Sequence, residues 1–322
     1  MKNFYQLLPK PFFALAPMDD VTDTVFRQII VNLARPDYML TEFVNVDGLM
    51  SSGRQNLESK LKFSVQEKPL IAQLWGKNPV NFFKVAQEIK AMNFNGIDLN
   101  MGCPDKTVVR NGCCSALINN RQLAKEIILA TVDGANGLPV SVKTRLGFNE
   151  VDLSWHEFLL GLPIQLLTVH LRTKKDMSKV FARWDYINQI KKLRDQINPD
   201  ILLVGNGDVD NKKTGHRLAQ QYQVDGIMIG RGVLKNPLAF SKEADCWDQY
   251  SIIQKINLFK DHLNNFNRVY FDSVDSRLFK LFKFAKLYLN GFNGSSNLRQ
   301  HIMAQKSIEA VNKILDDFID NL

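Results

Sequence analysis

The feature that most limits the fold is an alternation of eight short apolar runs, each too brief for a helix, with stretches whose apolar residues recur at helical spacing. The runs are Phe12 to Ala16, Tyr38 to Phe43, Pro69 to Trp75, Ile97 to Asn100, Pro139 to Thr144, Ile164 to His170, Ile201 to Val204 and Gly226 to Ile229. Between them lie helical patterns: Val25, Phe26, Ile29, Ile30 and Leu33 after Thr22; Phe82, Val85, Ala86 and Ile89 after Asn78; then Arg121 to Ala135, Leu153 to Leu160, Trp184 to Ile197 and Asn211 to Tyr222. Such a repeat predicts the α/β class and a closed parallel (β/α)8 TIM barrel, with an open doubly wound sheet as the alternative. After Lys235 the alternation stops, and from about Ser251 the pattern is helical to the end. Residues 1–240 are therefore expected to form the barrel, and 241–322 a smaller C-terminal all-helical domain.

A barrel gathers its chemistry at the carboxyl ends of its strands. Asp19, Gln73, Asn100, Lys143, His170, Asn206 and Arg231 all fall near such ends. The loop after the fourth run carries Asn100, Gly102, Cys103 and Pro104, which turn the backbone around one thiol. Cys103 is either presented for chemistry or an inert thiol. Lys143, in an otherwise apolar run, either stabilises negative charge on a bound ring or sits in an ion pair. His170 is a site residue or a hydrogen-bonded structural one, and Gln73 bonds a flat heterocycle or caps its strand. Asn206-Gly207-Asp208 and Gly230-Arg231-Gly232 follow the last two runs. Glycines expose backbone N–H groups and Arg231 adds a positive fork, so the pair reads as a phosphate cradle.

The chain has 322 residues, is 45% hydrophobic and carries a net charge of +8. Its basic residues are spread along its length, which suits a polyanion partner without requiring one. Arg277, Lys280, Lys283 and Lys286 recur every three residues among Phe279, Phe282, Phe284 and Tyr288. They form either a solvated face over an aromatic core or a contact surface for nucleic-acid phosphates. Cys103, Cys113, Cys114 and Cys246 lack zinc-site spacing, so no metal and a reducing compartment are expected. The N-terminus imitates a signal peptide, but Pro9 and Lys10 interrupt it, and no run is long enough to span a bilayer. A cytoplasmic protein without membrane contact is expected.

Ala16-Pro17-Met18, Gln73-Leu74-Trp75-Gly76, Asp98 to Pro104, Ser141 to Gly147, Val169-His170, Asn206-Gly207-Asp208 and Ile229 to Gly232 resemble, in order, the motifs of the tRNA-dihydrouridine synthases. The resemblance covers residues 11 to 236; the tail is less specific, although Lys283 and Tyr288-Leu289 resemble that family's RNA-binding region. It implies an FMN enzyme that reduces the C5–C6 double bond of particular uridines in tRNA, with NADPH or NADH as electron donor. It implies that Asn206, Gly207, Asp208, Gly230 and Arg231 hold the FMN phosphate, that Pro17, Met18 and Asp19 lie against its ring, and that Gln73, Lys143 and His170 meet its polar edges. Hydride would reach C6 of uracil, and Cys103 would give the proton to C5, since an ordinary thiol is mostly protonated at neutral pH. The uridine must leave its stack to reach a barrel mouth. Asn100 is expected to orient a ring, while Lys174, with Lys175, Lys179 and Arg183, and Arg277 and Lys283 hold RNA; a monomer is expected.

Three departures from the family pattern stand out. Leu171 replaces a usual glycine, Cys113 and Cys114 occupy usually small positions, and Asp105 replaces a small residue. They are read as neutral packing rather than as changes in uridine access. Two other functions compete. One is an FMN dehydrogenase of free dihydropyrimidines, which needs no basic domain, and the other is a non-catalytic RNA-binding module, which needs no retained Cys103 and Lys143.

Overall fold

A computed structural model describes residues 3–242, 244–270 and 274–322; the side chains of 244–245 and 274–277 also lie outside the description. Eight parallel strands form the barrel: β1 (Phe12–Leu15), β2 (Tyr38–Leu40), β3 (Leu70–Trp75), β4 (Gly96–Met101), β5 (Val140–Arg145), β6 (Leu166–His170), β7 (Leu202–Asn206) and β8 (Gly226–Ile229). Each pairs with its successor, and β1 pairs with β8 through Phe12 opposite Gly226 and Leu15 opposite Ile229, which closes the ring. A stub at Val44–Asn45 adds a second pairing to β3. The second strand is shorter than the sequence predicts, because the Thr41 hydroxyl takes the place of a backbone acceptor and receives the Gln73 N–H at 3.1 Å.

Six helices follow the sequence pattern: α1 (Thr24–Ala34), α2 (Pro79–Ala91), α3 (Arg121–Ala135), α4 (Leu153–Leu160), α5 (Tyr186–Ile197) and α6 (Lys212–Tyr222). Asp23, Asn78, Asn120, Asp152 and Asn211 cap α1, α2, α3, α4 and α6 by accepting backbone N–H bonds, so the polar residues ahead of each apolar stripe fix the helix starts.

The two-residue period of a strand explains where the site is. On β4 to β7, Leu99, Val142, Val169 and Leu203 face outward into the layer between sheet and helices. Phe12, Ala14, Tyr38, Leu40, Ile71, Leu166, Val204 and Met228 belong to a separate buried cluster that fills the barrel interior. Tyr5 joins that cluster from below, its hydroxyl 3.2 Å from Ser141 Oγ. Asn100, Lys143, His170 and Asn206 share the inward parity one or two steps higher, where apolar filling ends. Register brings them side by side, with Asn100 opposite Lys143 and His170 opposite Asn206.

Beyond the barrel come α7 (Ile252–Tyr270), α8 (Val274–Tyr288), α9 (Ser295–Met303) and α10 (Ile308–Asp320). Their apolar residues, including Phe259, Phe284, Tyr288 and Leu315, continue the same buried core as the outer layer of the barrel. Phe284 of α8 stacks on Phe26 of α1 with centroids 5.0 Å apart, and the His262 ring lies 4.7 Å from Phe284. Phe279, expected in the aromatic core, is instead 64% exposed, because it lies on the face of α8 opposite the buried Leu281 and Phe284.

Candidate active site

The carboxyl ends of the strands surround a cavity of about 540 Å³. Cys103 reaches it on a loop with little freedom. The Asn100 side-chain oxygen accepts the N–H groups of Gly102 at 3.1 Å and Cys103 at 2.9 Å, while Ser115 Oγ donates to the Cys103 carbonyl at 2.8 Å. Gly102 packs closely here, since a side-chain carbon would lie 3.3 to 3.4 Å from the backbone of Lys143 and Thr144. Asn100 Nδ2 donates to Gln73 Oε1 at 3.1 Å, leaving one of its N–H bonds for the cavity. Asp105, exposed, caps the short helix Lys106–Arg110 by accepting from Thr107 and Val108.

The thiol does not sit at its ordinary value, as the sequence reading assumed. A hydrogen bond from the Cys114 thiol pulls it down to about 7, against the opposing effect of burial, with help from the Asp105 N–H and the charge of Arg145. Cys114, expected to be mere packing, is thus a neighbour of Cys103 that acts on its thiol. It is fully buried and held well above its usual range by burial and by Cys103.

Lys143 faces the cavity above buried Asp98, and among the described residues its amino group has no hydrogen-bond partner. Burial pushes it down to about 8, the Arg145 charge adding to the effect. Two residues on, Arg145 shares its parity and is itself buried, donating to Gly102 O at 2.6 Å, Thr173 O at 3.0 Å and Met177 O at 2.9 Å. It ties the cysteine loop to the loop after β6. His170 lines the cavity 3.1 Å from Arg172 Nη1. Because a guanidinium only donates, Nε2 is the acceptor. Burial and the charges of Arg145, Lys143, Arg172 and Arg231 hold the imidazole well below its usual range, hence neutral.

On the far wall, Gly207 has φ +126, a conformation that side chains rarely adopt, and Gly230 and Arg231 line the cavity beside it. Asp208 accepts both of its closest bonds, 2.6 Å each, from Arg172 Nη2, a third from the Ala182 N–H at 2.7 Å, and faces Arg231 at 3.4 Å. Burial alone would raise this carboxyl, but those bonds and charges keep it below the usual range. Ala16, Pro17 and Met18 form an apolar shelf, and Phe43 and Phe181 complete the rim.

Of the residues expected at the site, the structure brings Pro17, Met18, Asn100, Cys103, Lys143, His170, Asn206, Gly207, Asp208, Gly230 and Arg231 to one cavity. It does not bring Asp19, whose carboxylate is taken by Lys60. Nor does it bring Gln73, which is fully buried one layer lower and donates to Asp98 at 2.7 Å. Lys174 lies outside the cavity, its ammonium 4.7 Å over the Phe148 ring. Lys283 donates to the Asp20 carbonyl at the seam between barrel and helices, and the Arg277 side chain lies outside the described residues. Leu171 is buried in the outer core and cannot narrow the mouth. Arg145, Arg172, Phe43 and Phe181 were missed. The parity of Arg145 with Lys143 was a usable signal, whereas the fork of Arg172 on Asp208 spans two loops and left no local trace.

By fold the class is a (β/α)8 barrel, with a helical region after it. Two solved structures share that fold: a histamine dehydrogenase from Rhizobium sp. 4-9 (TM-score 0.54, 12% identity, 78% of this chain and 48% of that one), and morphinone reductase (TM-score 0.51, 12% identity, 74% and 85%). The sequence narrows the class, since residues 14–322 match the family described as Dihydrouridine synthase (Dus). The chain is 45% identical over 322 residues to "Probable tRNA-dihydrouridine synthase 2" of Bacillus subtilis (strain 168), covering 98% of this chain and 97% of the relative. It is 44% identical over 321 residues to "Probable tRNA-dihydrouridine synthase" of Staphylococcus aureus (strain MRSA252), covering 98% and 96%. The chain belongs to the dihydrouridine synthase family.

Proposed function

We propose that the protein is an FMN-dependent tRNA-dihydrouridine synthase that reduces the C5–C6 bond of specific uridines, with NADPH or NADH as electron donor. The observation that carries this reading is one cavity shared by a mobile-proton thiol, an unpaired lysine and a glycine-lined basic wall. These residues fit FMN: the apolar shelf of Pro17 and Met18 suits a flat ring, and the Gly207 and Gly230-Arg231 loops suit a phosphate. Lys143 and neutral His170 suit the polar ring edge, while Asp208 orients Arg172 and Arg231 rather than meeting a phosphate itself. When bound and reduced, FMN supplies hydride for uracil C6.

The chain then has three tasks. Cys103 Sγ gives its proton to C5, and the Cys114 S–H and the Arg145 charge stabilise the thiolate that is left. Asn100 fixes the loop so that this sulfur cannot swing away, and its remaining N–H meets the substrate ring. The exposed lysines after β6, with Lys283 and Arg277 of α8, attract the RNA backbone. Asp19 and Gln73 act only through Lys60 and Asn100. Among the described residues no helix is long and apolar enough to cross a membrane. A cytoplasmic monomer suits this reading.

The test is direct. Purified protein supplied with FMN, NADPH and unmodified tRNA should convert particular uridines to a species heavier by two hydrogens, read by mass spectrometry of nuclease digests. Turnover of free uracil with none on tRNA would favour a free-pyrimidine reductase instead.

A further inference from the structure

We propose that Phe181 is a stacking platform for an unpaired base next to the uridine that enters the cavity. The inference rests on the reading of the substrate as RNA. Phe181 is 88% exposed, the most exposed large hydrophobic side chain among the described residues, yet it lines the rim of the catalytic cavity. Its backbone is not loose. The preceding carbonyl, Val180 O, accepts from Arg172 Nε at 2.6 Å, and the following N–H, of Ala182, donates to Asp208 Oδ2 at 2.7 Å. Arg183 N donates to Leu171 O at 2.7 Å, and Arg145 holds Met177 O at 2.9 Å. Buried arginines from the floor of the site therefore hold this loop from below and aim an aromatic ring at solvent.

A solvated phenyl ring on a firmly held backbone is poorly explained by the free protein. Its burial would be worth about 1.5–3 kcal/mol, which the fold leaves unused. Lys175 and Lys179 are exposed on the same loop; of its two acidic residues, Asp176 is occupied by Arg183 and the Thr173 N–H, and Asp185, at the loop's end, accepts from the Tyr222 hydroxyl at 3.1 Å. The chemistry that satisfies both the ring and the charges is a nucleobase attached to phosphate. Extruding a uridine leaves a neighbouring base without a stacking partner, and a ring at the cavity rim is where that base emerges. The backbone on both sides of the ring is already held, and a phenyl side chain has only two torsions to fix, so stacking costs little further entropy.

Affinity for unmodified tRNA should be measured on the FMN-loaded protein across a salt series for the parent, Phe181→Ala, Phe181→Leu and Phe181→Trp. Base–aromatic stacking is worth about 1–3 kcal/mol, so Phe181→Ala should bind about 5- to 150-fold more weakly. Phe181→Trp should restore binding and Phe181→Leu should not. The slope of log affinity against log salt should stay at the parent value, because no phosphate contact is lost. A collapsed loop would flatten the slope as well, as Lys179→Ala should, and that result would overturn the proposal. So would parental affinity in Phe181→Ala, or rescue by leucine equal to that by tryptophan. If the parent itself neither binds tRNA nor forms dihydrouridine, the RNA reading fails and takes this inference with it; if the parent is active and Phe181→Ala matches it, only the inference fails.

Discussion

The barrel mouth and the seam between barrel and helical region are built on opposite principles. Around the mouth, Arg145 and Arg172 are buried and Lys143 is half-buried above Asp98, while Asp208 pairs with Arg172 and Arg231. At the seam, Phe26, Phe284, His262 and Tyr288 pack as neutral rings, with His262 Nδ1 3.2 Å from the Tyr288 hydroxyl and burial holding the histidine near 3. Unbalanced buried charge lowers stability, whereas stacked rings raise it. The difference is a division of composition: the seam and barrel core pack neutral groups, and the mouth is lined by more positive than negative side chains.

The sharpest way to break that division is to remove one atom from the mouth. Cys103→Ala should slow dihydrouridine formation about 10²- to 10⁴-fold, the usual worth of a positioned proton donor, with little change in melting temperature. Equal turnover by mutant and parent would remove Cys103 from the acid role. The complementary change is Phe284→Ala, which empties the stack against Phe26. It should cost about 3–5 kcal/mol in denaturant unfolding without moving the pH dependence of any activity that remains. A loss under about 1 kcal/mol would mean that the helices are not held through this seam.

The two regions also differed in how much of them could be read in advance. Strands and helices were legible because short apolar runs with inward–outward parity and Asn or Asp caps are local signals, as at β4 to β7 and their helices. Position near a strand's carboxyl end was the signal for Asn100, Lys143, His170 and Asn206, and all four line the cavity. That signal carries no depth, so Gln73, also on an inward position of β3, sits one layer too low. Contacts between separate loop positions were invisible: Lys60 capturing Asp19, Cys114 acting on Cys103, and Arg172 locking Asp208. The seam was invisible for the same reason, since Phe26 and Phe284 are far apart along the chain.

A gentler probe of the mouth is pH. A proton donor with its value near 7 is active when protonated, so dihydrouridine formation should fall as pH rises through about 7, by about tenfold per unit once above it. Cys114→Ala removes the thiol that stabilises the Cys103 thiolate, and the alkaline limb should move to higher pH. A rate that is flat from pH 6 to 9 under single-turnover conditions would exclude Cys103 as the donor. A limb that stays in place in Cys114→Ala would exclude the thiol–thiol contact as its cause.

The smallest expected effect lies where the two regions meet. Lys280 donates to the Asp20 carboxylate at 2.7 Å and Lys283 to the Asp20 carbonyl, so this part of the basic stripe already has partners on the barrel. Burial holds the Lys283 ammonium below its usual value despite nearby Asp20 and Glu42. An exposed contact of this kind is worth under about 1 kcal/mol, so Lys283→Ala should barely change unfolding. If its charge also serves RNA, the variant should bind tRNA more weakly at low salt, and the slope of log affinity against log salt should fall by about 0.9, one phosphate contact. An unchanged slope would assign Lys283 wholly to the seam and leave RNA attraction to the loop after β6. The expected result is the reduced slope, because the side chain stays exposed while it bonds Asp20, and so can meet a phosphate without leaving the barrel.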